Sequence, residues 1–82
     1  MLYSALGDHF AFEGKYAEAI GPYIKANSIS PRNVSVLTNL ALSLTKVGRN
    51  SEALLVAKDL LIRDPDNASA LEIINKFSSG SF

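Results

Sequence analysis

The chain has 82 residues, 48% of them hydrophobic, and its eight basic and eight acidic side chains give a formal net charge of zero. That length supports one small domain with a thin core, and a neutral chain without a basic or acidic run points away from nucleic acid or an anionic membrane surface as the main partner. The absence of cysteine excludes a disulfide framework and a thiolate metal site, and no apolar run reaches the roughly 18 residues of a membrane span.

The first segment places Tyr3, Leu6, Gly7 and Phe10 at helical spacing, and Gly14 marks a turn. A second helix carries Tyr16, Ala19, Ile20, Tyr23, Ala26 and Asn27 on one stripe, with Pro31 after its end. Inside it lies Gly21-Pro22, a pair that elsewhere signals a turn. An internal proline costs about 3 kcal/mol and an internal glycine about 1 kcal/mol. Burying Ile20 and Tyr23 returns about 1.5–3 kcal/mol each, so the reading favours a bent but continuous helix from about Tyr16 to Ser28. The third helix shows Leu37, Leu40, Ala41 and Leu44, followed by Gly48; the fourth shows Ala53, Leu54, Ala57, Leu60 and Leu61, followed by Pro65. A fifth begins near Ala68, carries Leu71 and Ile74 with Phe77 at the margin of the stripe, and fades into a flexible tail at Ser78-Ser79-Gly80-Ser81.

These elements repeat. Gly14 pairs with Gly48 at an offset of 34, and the same offset joins Leu6 to Leu40, Glu18 to Glu52, Ala19 to Ala53 and Pro31 to Pro65. It extends to Asn33 with Asn67, Ser35 with Ser69 and Leu37 with Leu71. The expected fold is therefore all-α, a helix-turn-helix repeat solenoid of five helices, with units at 1–33 and 34–67 and a capping helix with its tail at 68–82. Glu72, Asn75 and Lys76 give that last helix the polar outer face of a cap. Small residues at Gly7, Ala41, Ala19 and Ala53 let the paired helices approach closely. Two units and a cap fall short of the usual three repeats or so, which leaves a piece of a longer array, a module completed by self-association, and Met1 as a true start as open readings.

The punctuation resembles that of the tetratricopeptide repeat. Its pattern is matched by Tyr3-x2-Leu6-Gly7-x2-Phe10, then Ala19-x3-Tyr23, then Pro31. The second unit departs from it: Leu37 and Leu44 replace aromatics, Ala41 replaces glycine, and Ala57 stands where a large ring is usual. Leu60, opposite Ala26 in the first unit, fills the volume that Ala57 gives up. The resemblance covers essentially the whole chain and implies a concave groove, lined by the first helix of each unit, that takes up an extended peptide or a partner helix. Carried onto this sequence, the groove displays Ser4, Asp8, Ala11 and Phe12, then Ser35, Thr38, Asn39, Leu42, Thr45 and Lys46, then Ser69, Glu72 and Lys76. Phe12 and Leu42 are its expected apolar anchors, with Asp8, Thr38, Asn39 and Lys46 as orienting polar contacts. One branch of the family clamps chaperone C-terminal carboxylates with two Asn, two Lys and one Arg. Here Asn39 holds one of those places, while Ser4, Asp8, Ser69 and Ile73 hold the others and supply no cation. A chaperone tail is thus not the expected partner.

The side chains offer little chemistry. His9 and Glu13 sit four apart, but no second histidine completes a metal site. There is no cysteine nucleophile, no glycine-rich phosphate loop and no carboxylate pair in an apolar patch, so neither catalysis nor a cofactor is expected. The expected role is a non-catalytic module that binds a protein or peptide. Two alternatives stand beside it: self-association or complex assembly through the convex face or open ends, and recruitment of substrate for an enzyme elsewhere in a longer chain. Leu55 and Ile62 speak for the first alternative. They are seven apart, point away from Leu54 and Ala57, and occupy the places of Gly21 and Ser28 in the first unit. The N-terminal residues lack a signal-peptide pattern, and the compartment stays open.

Overall fold

A computed structural model describes residues 2–31 and 33–78. The expected tail at Ser79–Ser81 lies outside those residues, whereas Ser78 belongs to the last helix. Five α-helices follow one another with no strand among the described residues: α1 (Leu2–Phe12), α2 (Tyr16–Ile29), α3 (Val34–Lys46), α4 (Asn50–Arg63) and α5 (Ala68–Ser78).

The helix ends explain the period. After α1 and after α3 the chain turns at a glycine in the left-handed region, Gly14 at φ 79° and Gly48 at φ 82°, where a side chain is strained. The closing hydrogen bonds recur in register: Lys15 N–H donates to Phe10 C=O at 2.8 Å, and Arg49 N–H to Leu44 C=O at 2.9 Å. Both units end alike, with Ser30 N–H on Ala26 C=O and Asp64 N–H on Leu60 C=O. Each following helix is capped by an asparagine. Asn33 Oδ1 accepts from Val36 N–H at 3.1 Å, and Asn67 Oδ1 from Ala70 N–H at 2.9 Å. A chain built from the same turn, stop and cap twice over can only stack one hairpin on the next.

Each helix packs on its neighbour in sequence, giving an elongated body of 40 × 24 × 17 Å. The odd-numbered helices also touch one another, α1 with α3 and α3 with α5, while the backbones of α2 and α4 stay more than 8 Å apart. The stack therefore has two layers and curves toward α1, α3 and α5, which form its concave side. Its core runs along the seam between the layers, through Ile20, Tyr23, Leu37, Leu40, Leu44 and Leu60. Helix α2 is continuous through Gly21 and Pro22, and Ile20 and Tyr23 are buried as the burial argument requires. Gly21 faces open space, with nothing within 4 Å of where a Cβ would sit.

The two units are packed differently. Gly7 lies against the ring of Tyr23, so close that an added Cβ would stand 2.6 Å from its carbons. In the second unit the corresponding residues are Ala41 and Ala57, both wholly buried, as is Leu60. Among the described residues α1 packs on α2 and otherwise touches α3 alone, and the expected core residues Tyr3 and Leu6 are exposed.

Candidate functional site: the cleft between α3 and α5

Where α3 and α5 diverge, they enclose a cleft of about 410 Å³ lined by Leu42, Thr45, Lys46, Glu72, Ile73 and Lys76. Leu42 and Ile73 give it an apolar floor; Leu42 packs against the core and Ile73 belongs to it. Thr45 Oγ donates to Ala41 C=O at 2.9 Å, which ties the hydroxyl to its own helix. The rim carries charge. Lys46 holds its ammonium 5.9 Å from the ring centroid of Tyr16, and Lys76 holds its own 5.7 Å from that of Phe77. Glu72 is the one acid of the lining, against two lysines.

Asn67 ties the start of α5 to α3. Its Oδ1 caps α5, while its Nδ2 donates to Thr38 Oγ on α3 at 3.2 Å and to Asp64 Oδ2 at 3.3 Å. Thr38 Oγ in turn donates to Val34 C=O at 2.8 Å. One side chain therefore starts α5 and pins that start against α3.

The residues expected in the groove divide into three sets. Leu42, Lys46, Glu72 and Lys76 meet in the cleft, joined by Thr45 and by Ile73. Asp8, Thr38 and Asn39 are committed to the fold. Tyr23 Oη donates to Asp8 Oδ1 at 2.6 Å, and Asn39 Nδ2 donates to the same oxygen at 3.2 Å. Burial raises the Tyr23 phenol well above its ordinary range, and the adjacent Asp8 carboxylate raises it further. Asn39, the one match to the carboxylate clamp, thus places one of its two amide donors on Asp8. Phe12 is apart from both sets: it lies at the end of α1, 93% exposed, and does not line the cleft. Ser4 and Ser69, half-buried on α1 and α5, do not line it either, nor does exposed Ser35.

On the opposite layer, Leu55 and Ile62 are 68% and 80% exposed, as their spacing on α4 implies. His9 and Glu13 approach to 3.7 Å in solvent, and no group of three or more His, Cys, Asp or Glu side chains among the described residues is placed to hold a metal. No helix among the described residues is long and apolar enough to cross a membrane. The sequence missed what Asn67 does. Its match to Asn33 signalled a repeated cap, but the reach to Thr38 depends on how α5 crosses α3. No family model matches the chain, and no curated protein matches it.

Proposed function

We propose that this chain is a non-catalytic protein–protein interaction module of the tetratricopeptide type, which takes a peptide segment of a partner into the cleft between α3 and α5. The observation that carries the reading is that cleft, with its floor of Leu42 and Ile73 between Lys46 and Lys76. An apolar side chain on such a floor loses its water, while the two lysines favour a carboxylate beside it over a cation. Pinning by Asn67 holds the walls in place before binding, so little receptor entropy is lost. The commitment of Asn39 and Asp8 to each other argues further against a chaperone tail as ligand.

Selection from a random peptide display library tests this. Enriched peptides are expected to pair an apolar residue with an acidic one. Their affinity is expected to fall about tenfold or more for Leu42→Asp and for the Lys46→Glu, Lys76→Glu pair. Enriched peptides that bind both variants unchanged contradict the reading.

The second reading, assembly through the convex layer, rests on exposed Leu55 and Ile62. It requires a self-associated species that Leu55→Glu with Ile62→Lys returns to monomer in sedimentation velocity. A wild-type chain that is monomeric at high concentration removes it.

A further inference from the structure

We infer that Ser30, in the turn between α2 and α3, is a phosphorylation site for a proline-directed protein kinase, and that its phosphate takes the place the Asp64 carboxylate holds in the second unit. Neither Ser30 nor Pro31 lines the α3–α5 cleft.

Ser30 precedes Pro31, and no other serine or threonine of the chain precedes a proline. Both residues are exposed. Proline offers no N–H and disfavours the helical region for the residue before it, and Ser30 leaves the helix at φ −131° and ψ 79°. A kinase must take the acceptor and its neighbours as an extended strand. The last turn of α2 can yield that strand: Ser28 and Ile29 are exposed, and Ala26 is the last buried residue of the helix. Peeling back to Ser28 therefore uncovers no core. Ser30 Oγ attacks the γ-phosphorus of a nucleoside triphosphate. The Oγ–P bond forms as the bond to the bridging oxygen of the β-phosphate breaks. The nucleoside diphosphate leaves, and the hydroxyl proton passes to the carboxylate base of the kinase.

The second unit shows what an anion does at this point. At the offset of 34, Ser30 corresponds to Asp64, Pro31 to Pro65 and Asn33 to Asn67. The backbones match, with Asp64 at φ −143° and ψ 85°. Asn67 N–H donates to Asp64 C=O at 3.0 Å, and Asn33 N–H to Ser30 C=O at 3.3 Å. Asn67 caps α5 through Oδ1 and donates through Nδ2 to Asp64 Oδ2 at 3.3 Å. Asn33 caps α3 through Oδ1 in the same way, but the residue three places before it carries a neutral hydroxyl where Asp64 carries a carboxylate. A phosphate on Ser30 adds a charge of about −1.5 to −2 and three acceptor oxygens, one bond further from the backbone than those of an aspartate. It brings the Asn33 amide a charged acceptor. Phosphorylation thereby gives the α2–α3 turn the charged clasp that the α4–α5 turn carries permanently.

The test incubates the full 15N-labelled chain with ATP and a purified proline-directed serine/threonine kinase, and locates the phosphate by mass spectrometry. One phosphate on Ser30 is expected. Ser30→Ala is expected to abolish its incorporation and Pro31→Ala to slow it about tenfold or more, with helical circular dichroism unchanged in both. In the phosphorylated chain the side-chain amide resonances of Asn33 are expected to shift. Ser30→Asp, which copies the second unit, is expected to shift them in the same direction. Four results overturn the inference. They are no phosphate on Ser30, incorporation only after unfolding in urea, incorporation that Pro31→Ala leaves unchanged, and a phosphorylated Ser30 with the Asn33 amide unmoved.

Discussion

The first unit and the second occupy the same frame of turns and caps and fill it with different chemistry. In the first, a tyrosine ring lies on a glycine, and its hydroxyl reaches across to an aspartate that an asparagine of the next unit also holds. In the second, the corresponding places hold Ala41, Ala57 and Leu60, all wholly buried and apolar. Tyr23 and Ala26 of one unit become Ala57 and Leu60 of the other, large and small having changed places one turn apart. The frame is therefore fixed by its ends, by Gly14 and Gly48 and by Asn33 and Asn67, while the interior has only to conserve volume.

The largest expected effect lies in the second unit. Leu60 is wholly buried, and Leu60→Ala leaves alanine at both 57 and 60, a cavity that nothing nearby fills. A loss of about 2–5 kcal/mol in urea unfolding is expected. A loss below about 1 kcal/mol would mean that the volume exchange between the units does not hold.

Next comes the first unit. Gly7→Ala improves helix propensity by about 1 kcal/mol yet drives a methyl into the Tyr23 ring, so a net destabilisation of about 1–3 kcal/mol is expected. In a Tyr23→Ala background, which imitates Ala57, the same substitution is expected to become neutral or stabilising. Additive effects in this double-mutant cycle would separate Gly7 from the ring.

Tyr23→Phe is smaller, about 1–2 kcal/mol, because it removes only a hydrogen bond to a charged acceptor. It also carries a pH signature. The folded phenol titrates above its unfolded value of 10.0, so its contribution is fully present below that pH. As pH rises beyond it, the unfolded chain loses a proton that the folded chain keeps, and stability falls by up to about 1.4 kcal/mol per pH unit. Wild type is expected to show this extra alkaline loss relative to Tyr23→Phe in urea titrations between pH 9 and 12. Parallel curves would contradict it.

The smallest effect belongs to the convex layer, where Leu55→Glu with Ile62→Lys is expected to change stability by no more than about 0.5 kcal/mol per site, since both side chains face solvent. A larger loss would reveal a packing role that their exposure does not suggest.

What the sequence disclosed follows the range of the interactions. Gly14, Gly48, Pro31 and Pro65 announce turns through local backbone preference, and Ile20 and Tyr23 carry α2 through Pro22 because helical spacing alone places them inward. The groove was half legible. Leu42, Lys46, Glu72 and Lys76 share a register that spacing reveals, and they do meet. Asp8, Thr38 and Asn39 share that register too, but each has a polar atom bonded within the fold. Those bonds join residues as far as 31 positions apart and depend on the crossing of two helices, which no local pattern encodes. Phe12 has the composition of an anchor and the place of a helix end, and only the packing shows that nothing encloses it.

The central claim is that the cleft between α3 and α5 is the receptor surface. It is tested most directly by mapping amide shifts of the 15N-labelled chain with a library-selected peptide. Perturbations are expected at Leu42, Thr45, Lys46, Glu72, Ile73 and Lys76, with Leu55 and Ile62 unmoved. Perturbations gathered along α4, with the cleft silent, would contradict the account.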